Sequence, residues 1–160
     1  MSRPSRHSAP TRLPPESRIY FVTSKTAQGK ALLQTECMAN LFVDVLRSYT
    51  LAGKFKIREF TVMPNHFHVL LKVDAGTTIE KAVQLIKGNF SFRARKELGF
   101  NGEIWQKGFS DFRITDQESL ARHVDYILAN PVKAGYARSP EEYPYCSAYL
   151  RRLKRAKPEP

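Results

Sequence analysis

The sequence is poor in cysteine, histidine and acidic side chains, and it has no long apolar run. Its 160 residues include two cysteines and four histidines, with 26 Lys and Arg against 15 Asp and Glu. Cys37 and Cys146 lack the spacing of a zinc site, so we expect free thiols in a reducing compartment. No segment has the roughly 20 apolar residues that cross a bilayer, and no apolar signal-peptide core follows the first residues. We therefore expect a cytoplasmic protein without a membrane partner.

The excess of positive charge indicates a polyanionic partner. The formal net charge is +11, and 42% of the residues are hydrophobic, enough for one globular domain. Residues 1–18 carry four Arg and one Glu, a net +3, and residues 151–160 carry five Lys or Arg and one Glu, a net +4. We expect a disordered basic arm over 1–18, a folded domain over 19–150 and a basic tail over 151–160. An acidic membrane surface would suit this charge too, but neither end has an apolar helical face, which favours nucleic acid.

Apolar periodicity predicts an α+β fold with the ferredoxin-like order β-α-β-β-α-β. This arrangement is one antiparallel sheet with both helices on one face, so the other face is expected to be open to a substrate. The predicted elements are a strand over 19–23, a helix over 29–52, a strand over 55–62 with a bulge near Glu59, a strand beginning at His66 after a hairpin turn, a helix opened by the capping box Thr77-x-x-Glu80 and ending before Gly99, and a strand over 105–114.

Two of the four histidines flank a single residue at the start of an apolar run. Residues i and i+2 of a strand point to the same face, so His66 and His68 would lie side by side on the open face, with Lys72 further along. Phe67 and Val69 would enter the core. Two neutral imidazoles in this position could share a divalent metal. The alternative is a pair of surface histidines without a ligand.

A further helix is predicted after the sheet. The capping box Thr115-x-x-Glu118 opens it, and Pro131 is expected to end it. Helix geometry alone leaves Tyr126 open as a half-buried packing residue. With about 100° per residue, the apolar stripe comprises Leu120, Val124 and Ile127, and the flank beside it carries Ser119, His123, Tyr126 and Asn130.

Three segments together resemble the REP-associated tyrosine transposases, a branch of the single-tyrosine HUH transposases related to those of the smallest insertion sequences. They are MPNHFHVLL over 63–71, WQ over 105–106 and YILANPVKAG over 126–135. The resemblance extends from about residue 19 to residue 149, in the family's order and spacing.

The resemblance implies roles for individual residues. His66 and His68 would be ligands of Mg²⁺ or Mn²⁺, and Tyr126 would be the nucleophile. Asn130 would be a third ligand or a positioning group, although related transposases have a longer glutamine in its place. His123 is left open as a proton acceptor, a metal ligand or a surface residue.

The implied reaction is metal-assisted transesterification on single-stranded DNA. Attack by Tyr126 would leave a 5′-phosphotyrosine and a free 3′-hydroxyl, and a second 3′-hydroxyl could reverse the step, which gives nicking and strand transfer. The implied substrate is a palindromic repeat folded as a hairpin, which a monomer or homodimer would bind at the bacterial nucleoid. Two alternatives stay open: a non-catalytic nucleic-acid-binding protein, and an RNA endonuclease that uses histidine acid–base catalysis on the same scaffold.

Basic and aromatic side chains are candidate DNA contacts. Those of the second helix alternate with Phe90 and Phe92, as in a backbone-binding and stacking surface; the alternative is a solvated basic face over core phenylalanines. Phe112 is a further stacking candidate, and Trp105 could equally be a core residue. The candidates are Lys72, Lys87, Arg93, Arg95, Lys96, Trp105, Phe109, Arg151 and Arg152.

Overall fold

The computed structural model describes residues 12–52 and 55–156. Within them, a four-stranded antiparallel sheet with the order β2-β3-β1-β4 combines with four α-helices, which confirms a mixed architecture built on an antiparallel sheet. In chain order the elements are β1 (Ile19–Lys25), α1 (Glu36–Ala52), β2 (Phe55–Met63), β3 (His66–Val73), α2 (Ile79–Leu98), β4 (Ser110–Ile114), α3 (Gln117–Lys133) and α4 (Ser147–Ala156).

The central strand β1 fixes the positions of its two neighbours. Thr23 pairs with His68 of β3 on one side and with Ser110 of β4 on the other. Strands β2 and β3 form the predicted hairpin, and their register shifts between Ile57 and Glu59, which confirms the predicted irregularity. Because paired residues project to the same side of a sheet, this register determines which side chains surround His68.

Both faces of the sheet are covered. Helices α1 and α2 pack over one face, where Phe67 and Val69 of β3 are fully buried. The expectation of an open second face is wrong, because Ile127 of α3 packs there against Ile19 and Leu70. The physical reason is that β1 and β3 carry apolar residues on both faces, and such strands need cover on both sides.

The C-terminal segment covers the edge of β2. The hydroxyl of Tyr143 donates to the carbonyl of Val62 (2.6 Å), and Cys146 forms an isolated bridge with Thr61. The tail predicted from residue 151 is helical as far as Ala156, where α4 ends. Because the C-terminal segment covers the edge of β2, another strand cannot pair there. As predicted, neither cysteine forms a disulfide.

The N-terminal arm was predicted to be disordered over 1–18, but residues 12–18 pack along β4. The N–H of Leu13 donates to the carbonyl of Thr115 (2.9 Å), and the guanidinium of Arg113 donates to the carbonyls of Pro15 and Ser17. Residues 1–11 of the predicted arm and residues 157–160 of the predicted tail lie outside the described residues.

Two predicted element starts are wrong. Helix α1 begins at Glu36 and not near residue 29, because a short 3₁₀ turn with Gln28 at φ 56° comes first. Strand β4 begins at Ser110, and Trp105 pairs only with Thr26 in an isolated bridge. The indole of Trp105 packs in the core among Phe42, Phe67 and Phe90.

The N-cap of α2 is Thr78, one residue after the predicted Thr77, and its hydroxyl accepts from the N–H of Lys81. The helix ends at Leu98, before Gly99, as predicted. In the part of the chain that the structure describes, no helix is both long and apolar enough to span a membrane.

Candidate active site

His66 and His68 lie side by side on β3, as the strand pattern predicts. Their ring centroids are 4.8 Å apart. Nδ1 of His66 is 2.8 Å from Oδ1 of Asn65, and Nδ1 of His68 is 2.7 Å from the hydroxyl of Thr23. The Asn65 oxygen can only accept, so Nδ1 of His66 carries the proton and Nε2 keeps its lone pair. The Thr23 hydroxyl can accept in the same way from His68. Hydrogen bonds of this kind, made by the ring nitrogen that does not face the metal, orient imidazoles at metal sites.

Both imidazoles are held in the neutral form. Burial, helped by the nearby charge of Lys25, lowers the pKa of His66 below its usual value. Burial together with His66 lowers the pKa of His68 to about 3. A neutral imidazole is the form that binds a metal, so at neutral pH neither ring has to lose a proton first.

The donor set fits a divalent cation held by two imidazoles. Among the described residues, no group of three or more His, Cys, Asp or Glu side chains could complete such a site. A third ligand from the described residues would therefore be of another type, and the amide of Asn130 is the predicted candidate. Imidazole suits Mn²⁺ and carboxylate or water oxygens suit Mg²⁺, so the two histidines favour Mn²⁺ on ligand chemistry.

Helix α3 is fixed by a cap at its start. The N-cap is Asp116, whose carboxylate accepts from the N–H of Ser119 (2.7 Å). The predicted box at Thr115 is displaced by one residue, because aspartate is preferred to threonine at an N-cap. The predicted core stripe is confirmed, since Leu120, Val124 and Ile127 pack in one cluster.

The end of α3 differs from the prediction. The helix continues through Pro131 to Lys133. Gly135 then adopts φ 85° and donates to the carbonyl of Val132, while the N–H of Tyr136 donates to the carbonyl of Pro131. These two bonds form a Schellman motif. Pro131 is tolerated because it lies in the last turn, where the loss of one N–H is offset by this closed C-terminus.

Helix α3 brings Tyr126 to the histidines. The Tyr126 ring lies edge-on to that of His68, with 5.4 Å between centroids, and the side chain is 49% exposed. Asn130 follows one turn later and is partly buried. The fold therefore joins residues that are 58 positions apart in the sequence, His68 and Tyr126. A half-exposed tyrosine beside two neutral imidazoles can present its hydroxyl to a ligand.

Phe21 is a site residue that the sequence reasoning missed. Its ring stacks on His68 (5.3 Å), contacts Tyr126 edge-on (5.8 Å) and lies 4.9 Å from His123. Phe112 also stacks on His123 (5.2 Å). Strand alternation places Phe21 on the same face as Thr23, but only the pairing of β1 with β3 and β4 brings its ring to the histidines. An open cavity of about 560 Å³ adjoins this cluster, lined by Phe21, Arg122, His123, Asp125, Tyr126, Ala129 and Lys133.

Comparison with known proteins assigns the family. The family model described as "Transposase IS200 like" matches residues 18–130, a range that includes both histidines and Tyr126. The chain belongs to the IS200-like transposase family. A Haemophilus influenzae protein provisionally named a REP-associated tyrosine transposase is 32% identical over 103 residues, covering 58% of this chain and 58% of that protein. The REP-associated tyrosine transposase of Escherichia coli K12 is 28% identical over 92 residues, covering 57% and 53%. The chain thus matches little more than half the length of these relatives.

Solved structures share the fold of this chain. A REP-associated tyrosine transposase bound to a REP hairpin superposes with a TM-score of 0.70 at 23% identity, covering 94% of this chain and 88% of that one. A provisionally named transposase of Deinococcus radiodurans R1 superposes with a TM-score of 0.54 at 21% identity, covering 69% and 88%.

The predicted DNA contacts of α2 lie away from Tyr126, because α2 packs on the opposite face of the sheet. Arg93 pairs with Asp44 (2.9 Å) and Glu97 (2.6 Å). The other candidates in this region also contact the protein itself. Lys87 donates to the carbonyls of Gln106 and Gly108, and Arg95 donates to those of Ser91 and Gly102. Lys96 lies over the Phe92 ring, and Phe109 packs against the core.

The other predicted contacts are spread over the molecule. Lys72 is on the His68 face of β3, four residues further along, and is partly buried. Arg151 pairs with Glu59 (3.0 Å), and Arg152 donates to the carbonyl of Glu141. The structure therefore gathers His66, His68, Tyr126 and His123 into one site and leaves these basic residues outside it.

Proposed function

We propose that this protein is a metal-dependent single-stranded DNA endonuclease and strand transferase of the REP-associated branch, acting on hairpin DNA through a 5′-phosphotyrosine intermediate. The observation that carries the proposal is the position of Tyr126, half exposed at an open cavity with its ring 5.4 Å from that of His68. The solved relative bound to a REP hairpin and the two REP-associated relatives support the choice of substrate. The proposal includes a ferredoxin-like domain extended by α3, which the strand order β2-β3-β1-β4 supports.

The chemistry starts from a weak nucleophile. A tyrosine hydroxyl has a pKa of about 10, so at neutral pH it needs help to attack a phosphodiester. His66 and His68 would hold the divalent metal through Nε2, and a bound cation supplies charge stabilisation to the phosphate. Tyr126 forms the new O–P bond, the bond to the 3′-oxygen breaks, and the phenol proton is lost as the 3′-hydroxyl forms. The phosphodiester energy is retained, so a 3′-hydroxyl can reverse the step.

Each chain holds both halves of this site. His68 and Tyr126 come from one chain and their rings are in contact, which supports nicking by a monomer, or by a homodimer that does not exchange α3. Bound to chromosomal repeats, the protein would be associated with the nucleoid.

The test is a covalent adduct. Purified protein is mixed with 3′-labelled single-stranded hairpins taken from repeats flanking its gene, with Mn²⁺ or with EDTA, and run on a denaturing gel. We expect label to migrate with the protein only when metal is present, because the 5′-phosphate of the labelled fragment becomes joined to the tyrosine. A 5′-labelled hairpin should instead release a shortened free strand.

Tyr126→Phe should abolish the adduct, and His68→Asn should reduce it by at least about a hundred-fold, within the range attributed to electrostatic stabilisation. Tyr136→Phe is the matched control, since Tyr136 is 53% exposed and lies beyond the end of α3. Tight hairpin binding without an adduct would contradict the proposal and support a non-catalytic binding protein. Metal-independent cleavage confined to RNA would support the endonuclease alternative.

A further inference from the structure

We propose that Phe112 and His123 form a stacking platform for an unpaired base next to the phosphate that Tyr126 attacks, with Arg122 and Lys133 binding the phosphates on either side. This inference rests on the proposed function, because it states where the substrate strand lies at the same site.

Phe112 has an exposed ring with a firm support. It pairs in register with Phe21, so it projects from the sheet on the Tyr126 side. The side chain is 52% exposed, and its ring stacks on His123 with 5.2 Å between centroids and 25° between planes. His123 in turn contacts Phe21 at 4.9 Å. A large apolar ring left in water at a sheet edge, and backed by two further rings, is the kind of surface on which nucleic-acid bases stack.

His123 is held in one orientation. Its Nδ1 lies 2.7 Å from the backbone carbonyl of Ser119, which can only accept, so Nδ1 carries the proton. In the neutral form of the ring Nε2 is then an acceptor. A base that stacks on Phe112 would bring its edge near this atom, where an exocyclic amino group could donate. The platform can therefore offer both a stacking surface and one polar contact.

The charges along α3 suit the phosphates of a single strand. Arg122 lies one turn before Tyr126 and Lys133 two turns after it, and all three line the same cavity. Their span is about 16 Å at 1.5 Å per residue, enough for several nucleotides at about 3.4 Å each. The lining also includes Asp125, so its ionic groups carry one net positive charge. Arg122 is 3.8 Å from Glu118, with both side chains more than half exposed, a pairing weak enough to yield to a phosphate.

The test measures binding without chemistry. In the Tyr126→Phe background, the affinity for a repeat hairpin with unpaired flanks is measured by fluorescence anisotropy, with an abasic site placed at each unpaired position in turn. We expect Phe112→Ala to weaken binding about ten-fold, within the range for one stacked base. At one position next to the cleavage site the abasic substitution should weaken binding equally, and the two changes together should add nothing further.

Matched variants separate stacking from folding. Phe112→Leu keeps an apolar side chain on β4 without a ring, so it should lose most of the affinity while its melting temperature stays near that of the parent. Tyr136→Ala removes an equally exposed aromatic ring outside the cavity and should bind normally. Arg122→Gln and Lys133→Gln should each reduce the slope of log affinity against log salt by about 0.7, and Arg138→Gln, exposed outside the cavity, should not.

Additive effects of Phe112→Ala and the abasic site at every position would overturn the inference, as would full affinity in Phe112→Leu. The proposed function is scored separately by the covalent adduct of the protein with native Tyr126. An adduct without coupling at Phe112 would refute the platform alone. Coupling at Phe112 without an adduct would refute the catalytic proposal and leave the platform in place as a binding site.

Discussion

An imidazole can bind a metal only through an unprotonated nitrogen, and for His66 and His68 neighbouring oxygens determine which nitrogen that is. Asn65 and Thr23 lie at the Nδ1 atoms of His66 and His68. Without these acceptors each ring could protonate either nitrogen, and part of the population would present an N–H to the cation. The threonine is therefore a positioning residue that acts through His68.

We expect Thr23→Val to weaken Mn²⁺ binding by about ten-fold or more, the usual cost of removing a hydrogen-bond partner that orients a metal-binding imidazole. Valine has almost the same shape, so the strand should keep its register. The matched control is Thr61→Val, because Thr61 pairs with His68 from the other side and its hydroxyl contacts the sulfur of Met63 instead. Titration calorimetry with Mn²⁺ measures both. Equal affinities in the two variants would show that Thr23 does not orient the ring.

The sequence was sufficient to predict which candidate residues the fold brings together. His66 and His68 follow from strand alternation, and Tyr126 follows from the motif that it begins. Phe21 was missed because its importance arises from the pairing of β1 with both β3 and β4, which no local pattern reveals. The basic residues of α2 were assigned to DNA from their composition, which does not tell on which face of the sheet a helix packs.

At the scale of the element, α3 depends on how both of its ends are closed. Asp116 caps its start, and Gly135 closes its end in a left-handed conformation at φ 85°. The boundaries were predicted less well than the apolar stripe. Two adjacent residues, Thr115 and Asp116, both suit an N-cap, and a proline near a helix end is a stop signal only when the following bonds do not compensate for it.

Gly135→Ala should destabilise the protein by about 1–2 kcal/mol, because a left-handed backbone strains any residue with a Cβ atom. Nothing lies within 4 Å of a Cβ placed there, so the cost is one of backbone conformation alone. Gly88→Ala is the opposite case. Gly88 is exposed within α2, with nothing near its added Cβ, and the change should stabilise by about 0.5–1 kcal/mol. Urea unfolding measures both, and a destabilising Gly88→Ala or a neutral Gly135→Ala would contradict this reading.

At the scale of the whole molecule, burial of the histidines links the site to stability. The pKa of His68 falls from 6.5 to about 3 on folding, and that of His66 is lowered as well. Between those values the unfolded chain binds protons that the folded chain does not. The histidines' contribution to the free energy of unfolding is therefore fully present above pH 6.5 and declines as the pH falls towards 3.

The metal-free protein should accordingly unfold more easily at pH 5 than at pH 7. One fully depressed histidine contributes a slope of up to about 1.4 kcal/mol per pH unit in this range, which corresponds to a melting temperature lower by several degrees. The measurement is thermal unfolding in EDTA at both pH values. His68→Asn should show a clearly smaller difference, since it removes the buried group that titrates. An unchanged pH dependence in that variant would assign the effect to other groups.

Because the first strand, β1, lies inside the sheet and pairs with two later strands, the sheet is completed late during synthesis. The first strand of the sheet pairs with β3 and with β4, and the last of these ends at Ile114. Tyr126 leaves the ribosome later still, so it can meet His66 and His68 only after all four strands have been synthesised. Long-range pairing of this kind forms late. A nascent chain that stops before α3 would carry both histidines but not Tyr126, and under the proposed function it could not nick DNA.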